Sequence, residues 1–134
     1  MAEQGRCYPQ RIKQGWSLGV ALVLVGLLTG CGEKTATVQF KVNSQPEGSY
    51  VLYQMRGPQV PCADEWIFLG MTPLRGVRQF DRQQLESSSK ITLKVMHKGY
   101  LEQKVEWDGP GFYSEAQDKG GVFFAPIMIP VPSP

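Results

Sequence analysis

The chain has 134 residues and a formal net charge of +2, with 42% apolar residues. Of the charged residues, Arg6, Arg11, Lys13 and Glu3 fall in the first thirty positions, so the remainder balances to neutrality. That remainder is one domain by length. Its neutrality gives nothing that favours a nucleic-acid binder or an electrostatic grip on a membrane.

The first element is an N-terminal leader. Arg6, Arg11 and Lys13 precede an apolar run over residues 16–28, followed by the small residues Thr29 and Gly30 and then Cys31. A positive region, an apolar region and a small-residue site make a secretory signal. The alternative is an uncleaved membrane helix. Thirteen residues give a helix of only ~20 Å, against a bilayer core of ~30 Å. Gly19 and Gly26 weaken that helix further.

The stretch Leu28-Thr29-Gly30-Cys31 resembles the lipobox of bacterial lipoproteins, which reads Leu, small residue, Gly or Ala, Cys. The resemblance implies that residues 1–30 are a signal peptide removed before Cys31. It also implies that Cys31 carries a diacylglyceryl group and an acylated amine. Residues 31–36 then form a lipidated tether. Gly32, in place of the Asp that retains some lipoproteins at the inner membrane, implies an outer-membrane anchor facing the periplasm. With Cys7 leaving and Cys31 taken by lipid, no disulfide framework is expected, and Cys62 reads as a shielded thiol, the alternative being a thiol available for an intermolecular bridge.

Strand alternation then governs the chain. Over residues 36–43, Val38, Phe40 and Val42 face one way while Gln39, Lys41 and Asn43 face the other, predicting a half-buried strand. Pro46 and Gly48 turn it. Residues 49–55 form a second strand with Leu52 inward, and residues 56–64 a long hairpin loop containing Cys62. Residues 65–69 and 74–80 are extended about a turn at Gly70 and Pro73. Residues 81–86 make one helical turn with Asp81 as N-cap. Ile91, Leu93 and Val95 alternate inward over residues 91–96, and residues 101–107 return with Trp107. Residues 108–120 read as a flexible loop. Residues 122–124 and 127–129 end the fold, Pro126 restricting them to an edge or bend. Residues 130–134 form a Pro-rich tail. Short, evenly spaced strands and no long helical period predict an all-β fold, a small β-sandwich over residues 37–129.

Three turns strengthen that reading. Pro46-Glu47-Gly48-Ser49, Gly70-Met71-Thr72-Pro73 and Gly99-Tyr100 occur in order. Together they resemble the PEGA domain, with its Pro-Glu-Gly-Ala, Gly-x-Thr-Pro and Gly-Tyr motifs. The match covers residues 38–107. Ser49 replaces the usual Ala, and the loop at 56–64 is longer than usual. The resemblance implies a compact β-sandwich found on envelope proteins and assigns no chemistry.

The search for chemistry yields little. His97 is the single histidine and sits at a turn. A Cys62–His97 nucleophilic pair would need folding to join them. Asp64-Glu65 and Glu106 with Asp108 read as solvated loop charge. There is no phosphate loop and no zinc spacing, so no catalytic residue, cofactor or metal is expected. Most aromatic residues read as core. Phe112 and Tyr113 lie in the Gly/Pro loop; with Trp107 they form either an exposed patch for a partner or a lid folded back on the domain. The function expected is that of a lipid-anchored, non-enzymatic module that binds an envelope protein or has a structural role. A cell-wall or glycan-binding module is the alternative.

Overall fold

The computed structural model describes residues 34–133. The expected signal peptide and Cys31 lie outside the described residues. The first strand, β1 (Thr35–Val42), is followed by β2 (Tyr50–Arg56), β3 (Ile67–Met71), β4 (Leu74–Asp81) and helix α1 (Arg82–Ser87). Then come β5 (Lys90–Met96), β6 (Tyr100–Leu101), β7 (Gln103–Trp107), helix α2 (Gly109–Asp118), β8 (Val122–Phe124) and β9 (Ile129–Pro130). The fold is mostly β, as the alternation predicts.

The strands form a three-stranded sheet ordered β4-β1-β8, a four-stranded sheet ordered β3-β2-β5-β7, and a small pair β6-β9. All pairings are antiparallel except β1 with β8. One apolar core serves both larger sheets. Val38, Phe40 and Val42 enter it from the first, and Val51, Tyr53, Ile91, Leu93 and Val95 from the second. Rings bridge the layers: Phe80 of β4 meets Tyr53 of β2 edge-on at 5.7 Å between centroids. Burial pushes the Tyr53 hydroxyl above its usual pKa, partly offset by the Arg78 guanidinium beside it.

Several expectations need correction. Strand β1 begins at Thr35, because Thr35 and Ala36 pair with Asp81 and Phe80; the last two residues of the segment expected to be a tether therefore belong to the sheet. Leu52 does not face the core. In β2 the core side is Val51, Tyr53 and Met55, and Leu52 is half-buried on the outer side. Tyr50 to Tyr53 is apolar at every position, so alternation alone does not choose the face. Residues 109–118 are helical. Asp108 caps α2, its carboxylate accepting from the Gly111 N–H at 2.8 Å, and Pro110 lies in the first turn. Asp-Gly-Pro is a helix-start signal that also reads as a loop. Helix α1 matches the expected turn, with Asp81 accepting from the Gln84 N–H at 2.9 Å. Cys62 is disulfide-bonded, against the expected thiol. That expectation follows from assigning Cys31 to lipid and Cys7 to the leader, both outside the described residues.

Candidate functional site

Two of the three turn motifs singled out in the sequence, at 46–49 and 70–73, meet in space. Ser44, Ser49 and Thr72 are buried, and their hydroxyls form a connected cluster. Ser44 Oγ lies 2.6 Å from Thr72 Oγ1 and 2.9 Å from Ser49 Oγ. Ser49 Oγ donates to the Pro46 carbonyl at 3.1 Å, and the Ser49 N–H donates to Thr72 Oγ1 at 3.0 Å. Ser44 Oγ also donates to the Pro46 carbonyl at 2.7 Å, so both serine hydroxyls reach that one carbonyl. The Gln45–Pro46 and Thr72–Pro73 peptides beside it are cis. The cluster joins the β1–β2 turn to the β3–β4 turn, which is a structural task. Among the described residues, the hydroxyls' hydrogen-bond partners are one another, the Pro46 carbonyl and the Ser49 N–H.

His97 stands elsewhere. Its Nδ1 lies 3.0 Å from the Lys98 carbonyl, and its ring packs edge-on against Tyr100 at 5.1 Å. Cys62 in a disulfide has no thiolate to pair with it. Among the described residues, no group of three or more His, Cys, Asp or Glu is placed to hold a metal.

The aromatic trio is divided. Phe112 is 1% exposed. Its ring contacts Trp107 at 5.3 Å, Phe80 at 6.1 Å and Phe40 at 6.2 Å. The helix places Gly109, Phe112 and Ala116 on its buried side. Phe112 therefore offers nothing to a partner; α2 lies over the core, close to the lid alternative. Trp107 is half-buried and donates from Nε1 to Glu115 Oε2 at 2.7 Å. Tyr113 is half-buried under the Arg82 guanidinium, 5.4 Å from its ring centroid.

The exposed aromatic surface lies on the outer face of the four-stranded sheet. Tyr50 is 50% exposed and Phe68 54%, with Met71 and Trp66 beside them also exposed. The register makes them one patch. Tyr50 pairs with Met71 on one side and Met96 on the other, and Leu52 pairs with Phe68. The Tyr50 and Phe68 rings are 6.0 Å apart and tilted by 55°. Trp66 sits two residues before Phe68 on the same side. Lys94 Nζ lies 3.9 Å over its ring, and Lys104 Nζ 5.9 Å. Glu102 carboxylate oxygens lie 3.6 Å from Lys94 and 3.4 Å from Lys104. The long β2–β3 loop is drawn in beside this face. Gln54 Nε2 donates to the Asp64 carbonyl at 2.9 Å, and Arg56 pairs with the Asp64 carboxylate at 3.3 Å. A period-two reading of 66–68, with Ile67 and Leu69 taken as inward, would have put Trp66 and Phe68 outside.

No protein-family model, curated protein or solved structure matches the chain.

Proposed function

We propose that this chain is an envelope lipoprotein, anchored by acyl groups on Cys31 in the outer membrane and facing the periplasm. Its β-domain acts as a non-enzymatic, PEGA-like sandwich module that binds a protein. The observation that carries the binding role is the contiguous exposed patch of Tyr50, Phe68, Met71 and Trp66. Monomeric proteins seldom leave neighbouring large apolar side chains in water without a partner for them. Aromatic residues with two side-chain torsions suit such an interface, since they bury much area at low entropy cost. A glycan platform is the weaker reading. Sugar rings stack on a flat face, whereas Tyr50 and Phe68 are tilted by 55° and Lys94 covers one face of Trp66.

Two experiments test this. Mass spectrometry of the processed protein is expected to show an N-terminal Cys31 bearing diacylglyceryl and an amide-linked acyl chain, and Cys31→Ser to leave the precursor uncut. The anchor requires that the processed protein not keep the Cys62 disulfide within one chain: Cys7 leaves with the signal peptide, and one sulfur cannot be both thioether and disulfide, so a peptide joining Cys62 to Cys31 or to Cys7 would overturn it. For the binding role, Tyr50→Ser with Phe68→Ser is expected to abolish site-specific crosslinking to envelope protein. Both rings are half-exposed, so stability changes by no more than about 1 kcal/mol. Undiminished crosslinking, or retention on isolated wall polysaccharide that depends on these two rings, would reject protein binding.

A further inference from the structure

A second surface stands apart from the aromatic patch and does not depend on it. Strand β4 is an edge: β1 is its one neighbour in the sheet. In an antiparallel ladder, alternate residues of an edge strand turn their N–H and C=O groups away from the partner. Among the described residues, no backbone hydrogen bond from outside β1 reaches residues 75–79. The strand is eight residues long, contains no proline, and exposes Val77 by 62%. Such an edge is a template for one more strand.

Its side chains state what that strand should carry. The register sets Leu74, Gly76 and Arg78 on the core side, opposite Val42, Phe40 and Val38. Gly76 leaves a gap there: a Cβ at that position would meet nothing within 4 Å. The gap, about 70 Å³, is bordered by Phe40, Leu69 and Leu74. On the outer side Arg75 faces Lys41 directly and Val77 faces Gln39. These four and Phe123 line a shallow groove of about 400 Å³. Like charges opposite one another on a sheet are destabilising, and neither Lys41 nor Arg75 makes an ion pair among the described residues. Around Gly76 the edge therefore lacks negative charge outside and a large apolar side chain inside. A second copy of this chain supplies neither: antiparallel pairing of β4 with itself about Gly76 sets Val77 against Arg75 and Gly76 against Gly76, and pairing about Val77 sets Gln79 against Arg75 and Arg78 against Gly76.

We propose that the β4 edge binds an extended acidic segment of a protein partner as an added strand. A carboxylate lies against Arg75 and Lys41, and a large apolar residue opposite Gly76 fills the gap over Phe40. Glycine with a bulky cross-strand neighbour is a stable sheet pairing.

The test uses the full chain in mild detergent. The probe is a fluorescent peptide as long as β4, alternating glutamate with valine and carrying phenylalanine at one central valine position. Saturable binding by anisotropy is expected, with no binding of the peptide in which lysine replaces glutamate. Affinity is expected to fall about 10-fold or more in Arg75→Glu, which removes charge attraction and adds repulsion. A similar fall is expected in Gly76→Phe, which fills the gap from within. Tyr50→Ser with Phe68→Ser is expected to bind the probe normally, which separates this site from the aromatic patch. Arg75 is exposed, so its variant remains informative if Gly76→Phe melts early. Failure of the acidic peptide to bind, equal binding of the lysine peptide, or unchanged affinity in Arg75→Glu would overturn the proposal. So would a wild-type dimer that Gly76→Phe converts to monomer, since a second copy would then own the edge.

Discussion

Phe112→Ala is expected to destabilise the domain by about 3–5 kcal/mol, the range for deleting a buried phenyl ring from a core. Phe112 is the largest fully buried side chain of the described residues. Its ring joins three others: Phe40 from β1, Phe80 from β4 and Trp107 from β7. Two of these belong to one sheet and one to the other, so the ring binds the layers as well as α2. The helix has little else to hold it. Its other buried positions, Gly109 and Ala116, carry at most one methyl group. The Gly109 backbone also approaches α1 so closely that an added Cβ would lie 2.0 Å from the Leu85 carbonyl, leaving no slack for the helix to settle into the void. Urea unfolding followed by tryptophan fluorescence measures the loss, Trp107 being in contact with the ring. Tyr113→Ala, half-buried under Arg82, is expected to cost about 1 kcal/mol or less. Equal costs for the two would contradict the inward placement of Phe112.

Leu93→Ala is expected to cost about 2–5 kcal/mol. Leu93 is 1% exposed and lies at the middle of β5, itself flanked by β2 and β7. Its cross-strand neighbours are Tyr53 and Val105. A void there is walled by two ladders whose spacing near 4.8 Å cannot shrink to close it. The denaturant slope should be unchanged, because the native surface exposed on unfolding is nearly the same. A loss under about 0.5 kcal/mol would mean that β5 presents its other face to the core.

The two strands read most accurately, β1 and β5, differ from the one misread in a simple way. In β1 every second residue is polar, and only one face can be buried at acceptable cost. In β5 Ile91, Leu93 and Val95 alternate with Thr92 and Lys94 and point inward as expected. Thr92 and Lys94 are buried as well, which alternation does not foresee. Their cover comes from distant residues: Gln54 and Glu106 pair with Thr92, and Trp66 lies against the Lys94 ammonium.

Where alternation is absent, local chemistry is silent. Tyr50, Val51, Leu52 and Tyr53 are all apolar enough for a core, and the pairing of β2 between β3 and β5 selected Val51 and Tyr53. The same choice left Tyr50 in water beside Phe68 and created the exposed patch. Phe112 shows the converse. Asp108, Gly109 and Pro110 suit a loop or a helix start equally. A helix forms and packs there because its Phe112 side finds Phe40 and Phe80, more than thirty positions away in the chain.

Turn positions, strand existence and the faces of the alternating strands are thus legible from nearest-neighbour chemistry, since period-two patterning and Gly/Pro backbone preferences act within a few residues. Contacts between elements far apart in sequence decided the rest: the parallel pairing of β8 with β1, the joining of Ser44 and Ser49 to Thr72, and which aromatic rings are core and which are surface. Burial of a ring depends on what lies on its other side, and that is a property of the assembled sheets.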